Sequence, residues 1–328
     1  ELRDLAANKW IEINGSHNPE TGEGEGLIAM PATLLAPSGR QLNDLTPILE
    51  PLGAVAGSVR AEVRLGWTEN GLRQSGFLGL DDVSMAMAAA SVSGLNAEIR
   101  FDGLLPPSTP PAQLATVRRL DAAVPMTDLV IRFALPSESP PRLILDSAVA
   151  GFAGGVVSVG ETTLGPALAR QTLPLAISGL DLAELFALLD LDGVAGSGVI
   201  DGTLPLAITD GVVTLNGGNL RARGPGALQI QSAAVATALA GGGEPVALML
   251  RAMENFAFDS LSMEIDKDAA GDAVLKLQMA GRNPDLDAGR PFEFNINLDT
   301  NLDRVLAAIG EGARLTNELL SRAWGLIP

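Results

Sequence analysis

The sequence predicts a mainly β protein, an antiparallel sheet carrying a few short helices. Three observations predict it. Apolar and polar residues alternate with a period of two along many short runs, as strands with one apolar and one polar face require. The 37 Gly and 21 Pro fall, with Asn and Asp, between those runs, where turns need them. Helical periodicity is confined to a few short stretches and the C-terminal end.

Taken in order, residues 1–44 read as an N-terminal β segment continuing from an upstream part. Val59, Ala61, Val63, Leu65 and Trp67 then alternate with Ser58, Arg60, Glu62 and Arg64. Glu69-Asn70-Gly71 separates that run from a second apolar stretch, Leu72 to Leu80, and the pair reads as a hairpin. Leu95, Ala97, Ile99 and Phe101 interleave with Asn96, Glu98 and Arg100; Leu129, Ile131, Phe133 and Leu135 repeat the rule around Asp128 and Arg132. Weaker strands follow at Leu143 to Val149, Val156 to Val159, Gly198 to Leu206, Val212 to Leu215 and Leu228 to Ile230, before Phe292, Phe294, Ile296 and Leu298 alternate with Glu293, Asn295 and Asn297. Pro-rich breaks at 105–111 and 136–141 are too short for flexible linkers and read as tight loops at a sheet rim. No domain boundary stands out. The expectation is one elongated module over 1–328, with the sheet occupying 45–300.

Helices are few. Asp181 and Glu184 have capping-box spacing, and Leu182, Leu185, Phe186 and Leu189 follow on one helical face. Further candidates are Ser232 to Ala240, stopped by Gly241-Gly242-Gly243, and Pro245 to Glu254. Over 301–328, Leu302, Val305, Leu306 and Ile309, then Leu315, Leu319, Leu320 and Ala323, define an amphipathic C-terminal helix with a kink expected at Gly310 and Gly312.

Composition removes several functions. The 328 residues carry a formal charge of −17, and the lysines are Lys9, Lys267 and Lys276. Phosphate neutralisation needs clustered Lys and Arg, so nucleic acid is excluded as a partner, and an anionic membrane surface would repel the chain. Mean hydropathy is high at +0.25, yet no run approaches the roughly 20 apolar residues of a membrane-spanning helix. Without cysteine there is neither disulfide nor thiolate chemistry, and a periplasmic address is permitted. The chain begins Glu1-Leu2-Arg3, with no initiator Met and no signal-like segment, and is expected to be a piece of something longer.

The inventory for catalysis is thin: one His, no Cys, no Tyr. His17 sits in the turn-forming string Asn14-Gly15-Ser16-His17-Asn18-Pro19 and reads as a solvated loop histidine rather than a general base. Gly22-Glu23-Gly24-Glu25-Gly26 lacks phosphate-loop spacing and places two carboxylates where a phosphate would sit, so it reads as a flexible acidic loop. Asp190-Leu191-Asp192-Gly193 opens like a calcium loop, but Val194 and the lack of a closing Glu favour a helix end and turn; Asp285 and Asp287 are read the same way. Trp10, Trp67 and Trp324 are too dispersed for a stacking platform, and Trp67 continues an apolar strand face. The chain is therefore read as a non-enzyme without cofactor or metal.

The apolar strand faces are what remains to be explained. They can pack on one another as the core of a closed sandwich. Alternatively, with so little helix to cover it, a curved sheet leaves an apolar trough that takes a ligand or partner.

Several strings carry a resemblance. Ser178-Gly179-Leu180-Asp181-Leu182-Ala183-Glu184-Leu185, then Gly196-Ser197-Gly198-Val199-Ile200-Asp201-Gly202-Thr203-Leu204-Pro205-Leu206, Gly217-Gly218-Asn219-Leu220-Arg221-Ala222 and Pro225-Gly226 resemble the C-terminal region of YdbH-type proteins of Gram-negative bacteria. These are AsmA-like intermembrane phospholipid transporters. Pro111-Ala112-Gln113 leading to Val117, Leu120 and Pro125 agrees, as do Asn255-Phe256 with Leu261, Gly281-Arg282-Asn283-Pro284, Gly289-Arg290-Pro291 and Asn301-Leu302. The resemblance covers roughly residues 45 to 325, and its weight lies in the order of many short motifs.

It implies a periplasmic protein, anchored by an N-terminal inner-membrane helix that would lie in the absent upstream part, whose sheet forms an open U-shaped hydrophobic groove for phospholipid. This chain would be the end facing the outer membrane, where a small outer-membrane lipoprotein extends the sheet by strand addition. The residues expected to line the groove are Val59, Ala61, Val63, Leu65, Trp67, Leu95, Ile99, Phe101, Leu129, Ile131, Phe133, Leu135, Phe292, Phe294, Ile296 and Leu298. An older label for the region, dicarboxylate transport, supplies a further reading, although binding a diacid calls for positioned Arg or Lys that the alternation does not single out.

Overall fold

The computed structural model describes residues 2–3, 9–39, 41–42, 53–87, 90–122, 124–165, 170–189, 193–209, 212–231 and 243–304. The fold is mainly β and antiparallel, and the sheet is not closed. The strands are β1 (Leu2–Arg3), β2 (Lys9–His17), β3 (Gly24–Leu35), β4 (Val55–Thr68), β5 (Gly71–Ala86), β6 (Ser91–Phe101), β7 (Gly103–Leu104), β8 (Pro107–Ser108), β9 (Gln113–Asp121), β10 (Pro125–Ala134) and β11 (Leu143–Phe152). They continue as β12 (Gly155–Val159), β13 (Thr162–Leu164), β14 (Arg170–Asp181), β15 (Val194–Ser197), β16 (Val199–Thr209), β17 (Val212–Ala222), β18 (Gly226–Ile230), β19 (Phe256–Lys267), β20 (Asp272–Arg282) and β21 (Pro291–Asn301). Among the described residues, helix is limited to α1 (Leu182–Leu189), α2 (Gly243–Met253), 3-10 turns at Leu42 and at Asp287–Gly289, and the short start at 302–304.

Packing gathers the chain into two compact units, Glu1–Ala150 with Gly160–Leu168, and Gly151–Val159 with Ala169–Pro328. The first is a meander in which β1 to β6, β9 and β10 pair in succession, with β7 and β8 forming a separate ribbon and β13 pairing with β11. The hairpin expected around Glu69-Asn70-Gly71 is present, with Thr68 opposite Gly71. In the second unit, β12, β14, β16, β17, β19, β20 and β21 pair in succession, while β15 pairs with β18 and β18 with the start of β19.

α1 begins where expected. The Asp181 carboxylate accepts from the Ala183 and Glu184 N–H groups at 2.7 and 3.2 Å. The reciprocal half of the capping box is replaced, because the Asp181 N–H donates to the Ala153 carbonyl at 2.9 Å. α2 contains most of the helix expected from Pro245. At the C-terminal end the Arg304 N–H donates to Asn301 Oδ1 at 3.0 Å, which caps the start of a helix. The rest of the expected terminal helix, the candidate at 232–240 and Asp190 and Asp192 lie outside the described residues.

One bulge sets the geometry beside α1. The register of β14 against β16 shifts between Ile177 and Leu180, and Gly179 takes φ 70° there, a conformation glycine adopts without steric cost. Its N–H donates to Asp201 Oδ1 at 2.8 Å, and Arg223 grips the same carboxylate through Nε at 2.9 Å and Nη2 at 2.6 Å. The Arg223 hydrogen bonds, then the Gly179 N–H, hold the Asp201 carboxyl below its usual range. A depressed folded pKa adds stability that is complete above the ordinary aspartate range and disappears as pH falls through the lower folded value. Asp201→Asn is therefore expected to lower the urea midpoint near neutral pH and to converge on the wild type in acid. Urea titrations at about pH 7 and about pH 2.5 check this, and an equal gap at both values would contradict it.

Candidate functional site: an apolar face on each unit

Directly paired residues of an antiparallel sheet share a face. In the first unit, Thr33, Val59, Leu80, Ala97, Ala115 and Ile131 are successive partners across β3, β4, β5, β6, β9 and β10. Val83, Leu95, Val117 and Leu129 form a neighbouring row, Met30, Ala61, Leu78 and Ile99 another, and Ile28, Val63, Gly76 and Phe101 a fourth. The opposite face carries Arg60 paired with Glu98 and Arg118 with Asp82. The β4, β6 and β10 residues singled out by alternation thus converge on one side of one sheet. Phe133 pairs with Gln113 on the same strand pair. Leu135 lies just past β10, its N–H donating to Thr109 Oγ1 at 2.9 Å.

This face holds a cavity of about 430 Å³ lined by Ile28, Met30, Leu42, Val55, Val59, Ala61, Val63, Leu78 and Leu80 among others, with Glu62 the one charged residue in its lining. Trp10, Leu35, Val55, Val59 and Val83 are buried and close one side. Farther along the same strands Trp67 lies over β3: a Cβ at Gly24 would run into the indole, and the ring Nε1 donates to His17 Nδ1 at 3.2 Å.

That contact corrects two expectations. The acidic glycine string is not a flexible loop from Gly24 onward but the start of β3, paired with β4, because glycine there leaves room for the indole. His17 is not a loop residue but the last residue of β2, paired with Gly24.

In the second unit the row is longer. Val157, Ile177, Gly202, Leu220, Met263, Leu277 and Ile296 are successive partners across β12, β14, β16, β17, β19, β20 and β21. One residue along each strand, the row behind reads Ser158, Ala176, Thr203, Asn219, Glu264, Lys276 and Asn297. Phe294 belongs to the apolar face through Met279 and Leu261, Leu298 through Leu275 and Ile265, and Phe292 through Gly281 and Phe258.

Leu182 of α1 and Met253 of α2 pack with Phe256 and Phe258 over one end of these strands, and the Phe256 and Phe294 rings meet edge-on at 5.4 Å. Toward the other end coverage thins, and Leu298 is 42% exposed. Lys267, two residues beyond Ile265 on the same face, is buried there, with its Nζ donating to the Val213 carbonyl at 2.6 Å and paired with Asp303 at 3.0 Å.

Of the residues expected to line a groove, Val59 is buried, Leu298 is exposed and the others are half-buried. Sequence reading missed Leu78, Ala115, Val117, Leu220, Met263 and Leu277. In β5 glycines at 76 and 79 blur the alternation around Leu78, and in β17 Gly217 and Gly218 do the same before Leu220.

Among the described residues no group of carboxylates or histidine is placed to hold a metal. Asp285 accepts from Asn255 Nδ2 at 2.6 Å and its N–H donates to Asn283 Oδ1 at 2.8 Å, which makes it part of a turn.

A sequence model of the YdbH-like family, described as intermembrane phospholipid transport protein YdbH, matches residues 6–323. The chain belongs to the YdbH-like family. No curated protein and no solved structure matches it. The YdbH-like family is one of intermembrane lipid transport rather than catalysis, in keeping with a site made of apolar rows. No described helix is long and apolar enough to cross a membrane.

The Trp67 contact yields a direct prediction. Gly24→Val forces the indole off β3 and is expected to cost about 1–3 kcal/mol, read as a lower urea midpoint with altered tryptophan emission. An unchanged midpoint would mean that the contact is loosely packed.

Proposed function

We propose that the chain is a periplasmic bridge segment that carries phospholipids between the inner and outer membranes, with acyl chains held along the apolar face of each unit. The observation that carries this reading is the seven-residue apolar row of the second unit backed by a largely polar row, with Ile177 buried and its other six members half-buried rather than sealed. Seven strands at about 4.8 Å spacing span roughly 29 Å, long enough to lay a hydrocarbon chain across. Each methylene moved from water onto such a face gains about 0.8 kcal/mol. An unpartnered polar headgroup would lose about 2–7 kcal/mol there, so it stays at the open side. Movement along the rows needs no catalyst in this segment, and the energy for net flux comes from elsewhere.

In this reading residues 1–328 act as one elongated module. An inner-membrane anchor holds the protein at one end of its path, and a small outer-membrane lipoprotein joins an open sheet edge by strand addition, since unpaired edge groups are the natural template for it. A diacid-binding role calls for positioned Arg or Lys, and Arg60, Arg118, Arg119 and Arg223 do not offer it, being paired with Glu98, Asp82, Asp121 and Asp201.

Native mass spectrometry with organic extraction tests the reading, comparing the wild type with a variant carrying Ile131→Asp and Phe294→Asp, one substitution per unit. Adducts of phospholipid mass on the wild type, lost from a variant with unchanged circular dichroism, are expected. A wild type that stays empty after incubation with phospholipid vesicles would overturn the proposal and leave the faces as dry cores.

A further inference from the structure

The β7–β8 ribbon lies on the apolar face of the first unit. β6 ends at Phe101, and the Asp102 N–H donates to the Ser108 carbonyl at 2.9 Å. Gly103 then pairs with Ser108 and Leu104 with Pro107. The fold-back seats Leu104 over Gly76, where an added Cβ would lie 2.9 Å from Leu104 Cδ2 and 3.6 Å from Phe101 Cβ. Gly76 is the partner of Val63 and Phe101, so the space it leaves belongs to the apolar face, and Leu104 fills it.

The attachment is uneven. At the root, the Thr109 N–H donates to the Leu135 carbonyl at 2.8 Å and Leu135 returns a bond to Thr109 Oγ1 at 2.9 Å. At the tip, Gln74 Nε2 donates to the Leu105 carbonyl at 3.3 Å, and Leu105 itself is 81% exposed. Gly202, the corresponding gap in the second unit, has its space taken by Leu220 at 2.6 Å, a residue of the adjoining strand β17. Leu220 cannot leave without breaking the sheet, whereas Leu104 belongs to a separate two-stranded ribbon and can leave with it, releasing the Gln74–Leu105 hydrogen bond and the Leu104 packing over Gly76.

We propose that the 103–108 ribbon is a gate on the acyl path of the first unit. Seated, Leu104 occupies the row Ile28, Val63, Gly76 and Phe101 at its one position without a side chain. Lifted about the Thr109 root, it opens the lowest point of that row to a passing chain. The inference rests on the reading of the apolar face as an acyl path, and the test separates the two.

The protein is loaded with fluorescent phospholipid, and both the amount bound and the rate of exchange into phosphatidylethanolamine–phosphatidylglycerol vesicles are measured for the wild type, Leu104→Ala, Gln74→Ala and Leu114→Ala. Leu114 is exposed and lines a polar depression with Arg60, Asn96 and Glu98, so its variant is the control. Leu104→Ala and Gln74→Ala are expected to exchange about two- to tenfold faster, the factor a lost neutral hydrogen bond or contact is worth, with equal lipid bound and unchanged circular dichroism. Gln74 is half-buried near the start of β5 and outside the buried core, so its variant carries the test if Leu104→Ala fails to fold. Bound lipid with unchanged exchange, or equal acceleration in Leu114→Ala, overturns the gate alone. A wild type that binds no lipid overturns the acyl path and the gate together.

Discussion

Everything in this molecule depends on strand register. Side chains alternate with period two, so a one-residue slip between any two strands would move an entire apolar set to the polar face. In the second unit the partners of Ile177 run Gly202, Leu220, Met263, Leu277 and Ile296, while those of Ala176 run Thr203, Asn219, Glu264, Lys276 and Asn297. A single slip at β19 would set Met263 among lysine and asparagine and put Glu264 against Leu277. Register is therefore held by the contrast between the faces, and the contrast exists only while register is held.

Bulges are where that constraint is relaxed without being lost. The shift between Ile177 and Leu180 changes the register in which β14 meets β16 before Leu180 and Asp181 pair again and α1 begins, and the peptide N–H at the bulge is taken up by Asp201, itself clamped by Arg223. The consequence is a helix delivered over the Phe256 end of the face, where it makes a sealed core with Met253 and Phe258. The far end of the same strands has no comparable cover among the described residues, and its apolar row ends at the stem of Lys267. Buried ammonium groups are tolerated only when fully paired, and here a backbone carbonyl and Asp303 do the pairing.

The sequence was most legible where the physics is local. Alternation at Val59 to Trp67, Leu95 to Phe101 and Phe292 to Leu298 identified strands and faces, because period two is a property of one strand alone. The turn at Glu69 and Asn70 and the start of α1 were legible for the same reason. Partnership was not legible. Nothing in Gly76 or Gly202 says that each stands in an apolar row, since a residue without a side chain carries no hydrophobic signal and its role appears only when Val63 or Leu220 is set beside it. The acidic glycine string was misread for a related reason: Gly24 answers to Trp67, more than 40 residues away in sequence, and not to the acids beside it. The division into two units was also invisible, because it follows from which strands pair rather than from any linker.

A face built this way is suited to movement more than to tight capture. Deep, specific pockets place a few polar groups to fix one orientation of a ligand, whereas Val157 to Ile296 and Met30 to Ile99 offer rows of nearly equivalent hydrocarbon. A chain displaced by one strand spacing exchanges one set of contacts for another of similar worth, so the wells along the row are shallow relative to one another even though the sum over many methylenes is large. Gaps in the floor are the exceptions to that uniformity. Where the gap is filled from within the sheet, as Leu220 fills Gly202, the row stays smooth. Where it is filled by a separate ribbon, as Leu104 fills Gly76, the filling side chain is held by 103–108 rather than by the pairing of the sheet itself, and that difference is what the proposed gate would use.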